Sequence, residues 1–126
     1  MNRRQAREKA VQALFQITLS DTDPEEAIEN VTHQKGADPF LMQLVQETVS
    51  HLDDIDEVIK THLVNWQFNR IGNIDKTILR LAVCELNYFE DIPSNVTLNE
   101  AIELSKTFGD EKTRKFVNGV LAKIVK

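Results

Sequence analysis

The sequence predicts an all-α protein, and three observations carry that expectation. The stretch IDKTILRLAVCELNYF, residues 74–89, is apolar nearly all round when placed at ~100° per residue, so other helices must bury it. Asp-Pro occurs twice, at 23–24 and 38–39, as a helix-start signal with Asp as N-cap and Pro in the first turn. No segment shows the strict alternation of a half-buried strand. The expected architecture is about seven helices in two small packed subdomains around the buried central helix. All 126 residues form one domain, with an N-terminal helical half over about 1–70 and a C-terminal half over about 71–126.

Each element follows from local chemistry. Residues 3 to about 19 lack Gly and Pro and place Ala6, Ala10, Ala13, Leu14 and Ile17 on one face. Arg3 and Arg7 edge that face, and Arg4, Val11 and Phe15 form a stripe beside it. A short second helix from Pro24 to about Gln34 ends at Lys35-Gly36-Ala37. A third runs from Pro39 through Phe40, Leu41, Leu44, Val45, Val49 and Leu52. Asp53, Asp54, Asp56 and Glu57 suit the first turn of a fourth, which carries Val58, Ile59, Leu63, Val64 and Trp66. A calcium loop would need alternating ligands with a central Gly and a closing Glu, and these are missing. After a connection around Gly72 and the central helix, Val96 to Phe108 is amphipathic, with Gly109 at C′. Asp110 caps a last helix running to about Val125.

Charge is unevenly spread. The net charge is −5, yet residues 1–15 carry four basic groups against one acid, and residues 105–126 carry six against two. The body between is strongly acidic. Two basic ends on an acidic body suit a polyanion, or else merely solvate the termini. On the last helix Lys112, Lys115 and Lys123 share one stripe with Gly119, and Phe116 borders it. Ammonium groups that track phosphates beside a ring that stacks on an unpaired base are what single-stranded RNA binding needs. A solvated lysine face, with Gly119 making room for a neighbouring helix, is the plainer alternative.

Catalytic and metal chemistry find little support. His33, His51 and His62 lack the i, i+4 spacing of a helical zinc site, and Cys84 has no partner cysteine. Neither a catalytic residue, a metal site nor a cofactor is expected. The glycines never form a phosphate loop. Glu85 lies among apolar positions of the central helix, where an unpaired carboxylate is costly, so it should accept hydrogen bonds from a basic side chain or a neighbouring helix end. The lone cysteine and the absence of an apolar leader or bilayer-length stretch point to a reduced, cytoplasmic protein away from the membrane.

Three blocks at matching spacing then carry a resemblance. They are the stretch from Arg3 to Phe15; Ile78-Leu79-Arg80-Leu81-Ala82 with Glu85-Leu86; and the pair formed by Asn99-Glu100-Ala101-Ile102-Glu103-Leu104-Ser105-Lys106 and Lys115-Phe116-Val117-Asn118-Gly119-Val120-Leu121. Together they resemble the NusB transcription antitermination family along the full length. The resemblance implies an all-helical factor that is no enzyme. It would bind boxA RNA of ribosomal RNA leaders with the small-subunit ribosomal protein acting as NusE, and join RNA polymerase and other Nus factors to promote read-through. On that basis the RNA-binding residues are Arg3, Arg4, Arg7, Phe15, Lys112, Lys115 and Phe116, and Asp75 and Lys76 are candidates for the protein partner. Some relatives carry a longer arginine run and a tyrosine after Gln-Ala-Leu; here Gln5 interrupts the run, and Phe15 can stack but not donate a hydrogen bond. Two rivals are a helical protein–protein adaptor whose basic ends are inert and a NusB-like domain of ribosomal RNA methyltransferases.

Overall fold

The structure is a computed structural model that describes residues 1–35 and 38–125; the expected helix stop at Gly36-Ala37 lies outside the described residues. Among the described residues there are seven α-helices, one 3-10 turn and no strand. The chain divides into two compact units, Met1–Ser50 and His51–Lys126.

The first unit holds α1 (Arg3–Ser20), α2 (Pro24–Thr32) and α3 (Pro39–Ser50), each packed on the other two. Ala6, Ala10 and Ala13 are fully buried on α1, and their small side chains let α2 and α3 approach closely. Ile28, Leu41, Leu44 and Val45 fill the space between. Asp23 and Asp38 cap as their sequence predicts: Asp23 accepts from the Glu25 N–H at 3.2 Å and Asp38 from the Leu41 N–H at 3.1 Å. The second helix stops at Thr32, two residues early, where His33 takes a left-handed conformation at φ 60°.

The second unit holds α4 (Leu52–Thr61), a 3-10 turn (Phe68–Arg70), α5 (Asn73–Tyr88), α6 (Ser94–Phe108) and α7 (Glu111–Val125). The expected central helix is α5, which packs against α4, α6 and α7. Ile78, Leu79, Leu81, Val83 and Cys84 are fully buried or nearly so. Because Ile55 and Ile59 of α4 belong to this core, the compact units part between α3 and α4, whereas the Gly72 connection lies inside the second unit.

The fourth helix is shorter than its apolar pattern suggests. Two side chains, the Thr61 hydroxyl at 2.9 Å and the His62 ring at 2.7 Å, compete for the Val58 carbonyl. The His62 N–H turns to the Ile59 carbonyl instead, and the helix ends. Leu63, Val64 and Trp66 therefore leave the helix, and Asn65 reverses the chain at φ 65°.

Three further polar residues find structural work. Asp56 is no simple cap: it holds Arg80 of α5 through two parallel hydrogen bonds of 2.8 Å. Glu85 is 2% exposed and accepts a hydrogen bond of 2.9 Å from Thr97 in the first turns of α6, so the expected help from a neighbouring helix end is present. Gly109 directly follows the last residue of α6, as expected, with φ −127°. Its small size matters, because a Cβ there would lie 2.5 Å from the Thr113 hydroxyl.

Candidate functional site

Each unit carries its own cationic surface. In the first, Asn2 and Gln5 form a capping box at the start of α1: the Asn2 side chain accepts the Gln5 N–H at 2.8 Å, and Gln5 accepts the Asn2 N–H at 3.0 Å. The residue that interrupts the arginine run thus fixes the helix end that presents it. Arg3 and Arg4 are exposed on that first turn. Arg7, expected to face phosphate, is only 4% exposed; its guanidinium lies 5.3 Å from the Phe40 ring centroid, beside that of Arg3 at 4.4 Å. Arg7 is thus set back from the surface on which Arg3 and Arg4 are exposed. Phe40, which sequence reasoning placed only in an apolar stripe, is the ring both arginines share. Phe15 is half-buried further along α1.

In the second unit a groove of about 400 Å³ is lined by Trp66, Arg70, Ile71, Gly72, Asp75, Lys112, Lys115 and Phe116. Lys112, Lys115 and Phe116 share it because they follow one another on the outward side of α7, while Val117, Val120 and Leu121 hold the opposite side in the core. Phe116 packs against Trp66 with ring centroids 5.4 Å apart and planes at 69°. Gly119, on the same stripe, has open space where a Cβ would be, so it makes no room for a neighbouring helix.

Asp75 and Lys76, paired by the sequence reading, separate. Asp75 lines the groove, with the Thr113 hydroxyl beside it. Burial pushes its carboxyl above the usual aspartate value, the Thr113 hydrogen bond works against that, and the nearby Asp110 charge adds to it. Asp110 itself is held below its usual value, chiefly by the Thr113 N–H it accepts at 3.0 Å and then by the Thr113 hydroxyl at 3.2 Å. Lys76 instead places its ammonium 4.7 Å from the Phe68 ring centroid, joined there by Lys60 at 5.3 Å and Arg80 at 5.6 Å.

Trp66 is the residue sequence reasoning misplaced. Its position in a run of apolar residues suggested helix core, yet it is 59% exposed. The available signal was the chemistry of the helix end, Thr61-His62 followed by Asn65, which breaks the helix before Trp66 is reached. Two of the three histidines make structural contacts: His51 stacks on Tyr88 at 3.9 Å, and His62 binds the Val58 carbonyl. Among the described residues no three His, Cys, Asp or Glu side chains are grouped to hold a metal ion, and no helix is long and apolar enough to cross a membrane.

Fold and site together define a class: an all-helical protein with arginines at the start of its first helix and a lysine-lined aromatic groove on its last. The match to known proteins narrows it. Residues 4–126 fit the NusB family. The transcription antitermination protein NusB of Bacillus subtilis (strain 168) is 58% identical over 124 residues, covering 98% of this chain and 95% of its own. Among solved structures, the T. maritima NusB aligns with a TM-score of 0.87 at 36% identity, covering 98% of this chain and 90% of the other. A crystal structure of the antitermination factors NusB and NusE in complex with dsRNA aligns with a TM-score of 0.86 at 31% identity, covering 97% and 94%. This chain belongs to the NusB family.

Proposed function

We propose that this chain is an RNA-binding transcription antitermination factor, an adaptor and not an enzyme, which engages boxA-type RNA of ribosomal RNA leaders together with a NusE-type ribosomal protein. In that role it joins RNA polymerase and other Nus factors in the cytoplasm. The observation that carries the reading is the groove in which Lys112 and Lys115 stand beside the Phe116 ring. Charge follows the phosphates there while the ring meets an unpaired base. The start of α1 supports it: Arg3 and Arg4 are exposed at the helix end whose dipole is also positive, a surface that suits an anionic ligand. Phe15 contributes its ring on the same helix, and Arg7 steadies Arg3 through Phe40.

Phosphate contacts give affinity with little sequence discrimination, so boxA selectivity rests on held bases and on the protein partner. Exposed Asp53, Asp54 and Glu57 of α4 offer the charge that a basic ribosomal protein complements. Lys76 and Asp75 belong with the Phe68 cluster and the groove, respectively.

The test is the affinity for boxA-type RNA and a scrambled control at two salt concentrations, with and without the ribosomal partner. Wild type is expected to prefer boxA and to gain from the partner. Arg4→Ala and Lys115→Ala should weaken binding in folded protein, each reducing the slope of log K against log salt by about 0.7 per lost phosphate contact. Absence of RNA binding even with the partner would overturn the reading and leave a protein–protein adaptor.

A further inference from the structure

Trp66 is an exposed indole in a fold with ample core to hide one. It is the only tryptophan in the chain and is 59% exposed, although burying a ring of this size is among the larger favourable terms available to a folding protein. The loop that carries it is ordered by specific chemistry. The Thr61 and His62 side chains end α4 on the Val58 carbonyl, and Asn65 turns the backbone at φ 65° immediately before it. The indole then meets Phe116 edge to face, at 5.4 Å and 69°. Two rings at that angle form a corner in which a flat group can lie on one face and touch the edge of the other.

The surroundings indicate what the flat group is. On one side Trp66 borders the groove with Arg70, Lys112 and Lys115; on the other it walls a second recess of about 480 Å³ with Lys60, Gln67, Phe68 and Asn69. Four cations thus lie along the two recesses against one carboxylate, Asp75, which is partly buried. That balance fits a polyanion and opposes a basic protein surface. Gln67 and Asn69 add neutral donors and acceptors of the kind that meet base edges.

We propose that Trp66 is a base-stacking residue for single-stranded RNA, forming with Phe116 a two-ring corner, and that the strand continues past it into the recess lined by Lys60 and Phe68. The proposal rests on the RNA reading of the groove and extends it to a residue and a recess outside the set drawn from the family resemblance.

Because Trp66 is the sole indole, its emission reads the proposed contact directly. Titrating the intact protein with short single-stranded boxA-type RNA should quench that emission, whereas inorganic polyphosphate at equal ionic strength should not. By anisotropy of labelled RNA, Trp66→Ala should weaken binding on the order of tenfold, the scale of one lost base–aromatic stack, and Trp66→Phe should restore most of it. Lys60→Ala should weaken RNA binding and flatten its salt dependence. Labelled RNA that binds with no change in emission, or with the affinity of Trp66→Ala intact, would overturn the proposal while leaving the RNA reading standing. Equal quenching by polyphosphate would do the same, as would a Trp66→Ala defect confined to binding of the ribosomal partner. No RNA binding by wild type in any assay would instead remove the underlying reading. Since Trp66 is exposed and its quenching is measured on wild type, the result does not depend on how well the alanine variant folds.

Discussion

Removing the Asp56 carboxylate should cost the second unit far more than loss of an ordinary surface ion pair. The Arg80 fork donates two bonds of 2.8 Å to Asp56, and the two side chains are only 12% and 14% exposed. An exposed pair contributes about 0.2–1 kcal/mol. Breaking a buried one costs about 3–5 kcal/mol, because the remaining charge stays out of water. The exposures, small but not zero, put this pair just short of the buried limit, and the Phe68 ring 5.6 Å from the Arg80 guanidinium leaves the cation with one favourable neighbour. Asp56→Ala should therefore destabilise by about 2–4 kcal/mol. Asp56→Ala combined with Arg80→Met should recover much of that, since no charge is then stranded. Urea unfolding followed by circular dichroism and Trp66 emission measures both. Single substitutions that each cost below about 1 kcal/mol and simply add in the double variant would refute the reasoning.

Two other outcomes follow from the geometry around α7. Gly119→Ala should raise stability by about 1 kcal/mol in the same unfolding assay, because α7 gains helix propensity and the new methyl meets nothing within 4 Å. Asp75 and Asp110 should give opposite pH slopes. The native state holds the Asp75 proton to higher pH than the unfolded chain does, so stability falls as pH rises above the ordinary value of 3.8, and Asp75→Asn should remove that loss. Asp110 ionises more readily when folded, so its contribution is present above 3.8 and disappears as pH falls through its lowered value; Asp110→Asn should flatten that acid limb in pH-dependent denaturation.

Local chemistry made much of this protein legible from its sequence. Helix class, the Asp23, Asp38 and Asp110 caps, and the buried face of α5 all depend on residues within a turn or two of one another. The shared stripe of Lys112, Lys115 and Phe116 follows from helix period alone. The family blocks supplied the kind of ligand and partner, which no spacing contains.

Tertiary structure decided which polar groups are free to act. Arg7 and Arg3 are four residues apart and chemically identical, and both flank the Phe40 ring of α3, yet Arg7 is buried in the folded unit while Arg3 stays exposed. Asp56 resembled three neighbouring acids until α5 brought Arg80 against it. Asp75 and Lys76 are adjacent in the chain but diverge by about 100° on the helix, so one enters the groove and the other lies over Phe68. Trp66 became part of the surface because two side chains outbid the helix for one carbonyl. Sequence determines what each residue can do locally, whereas burial and pairing depend on neighbours distant in the chain, and these select the residues left facing solvent.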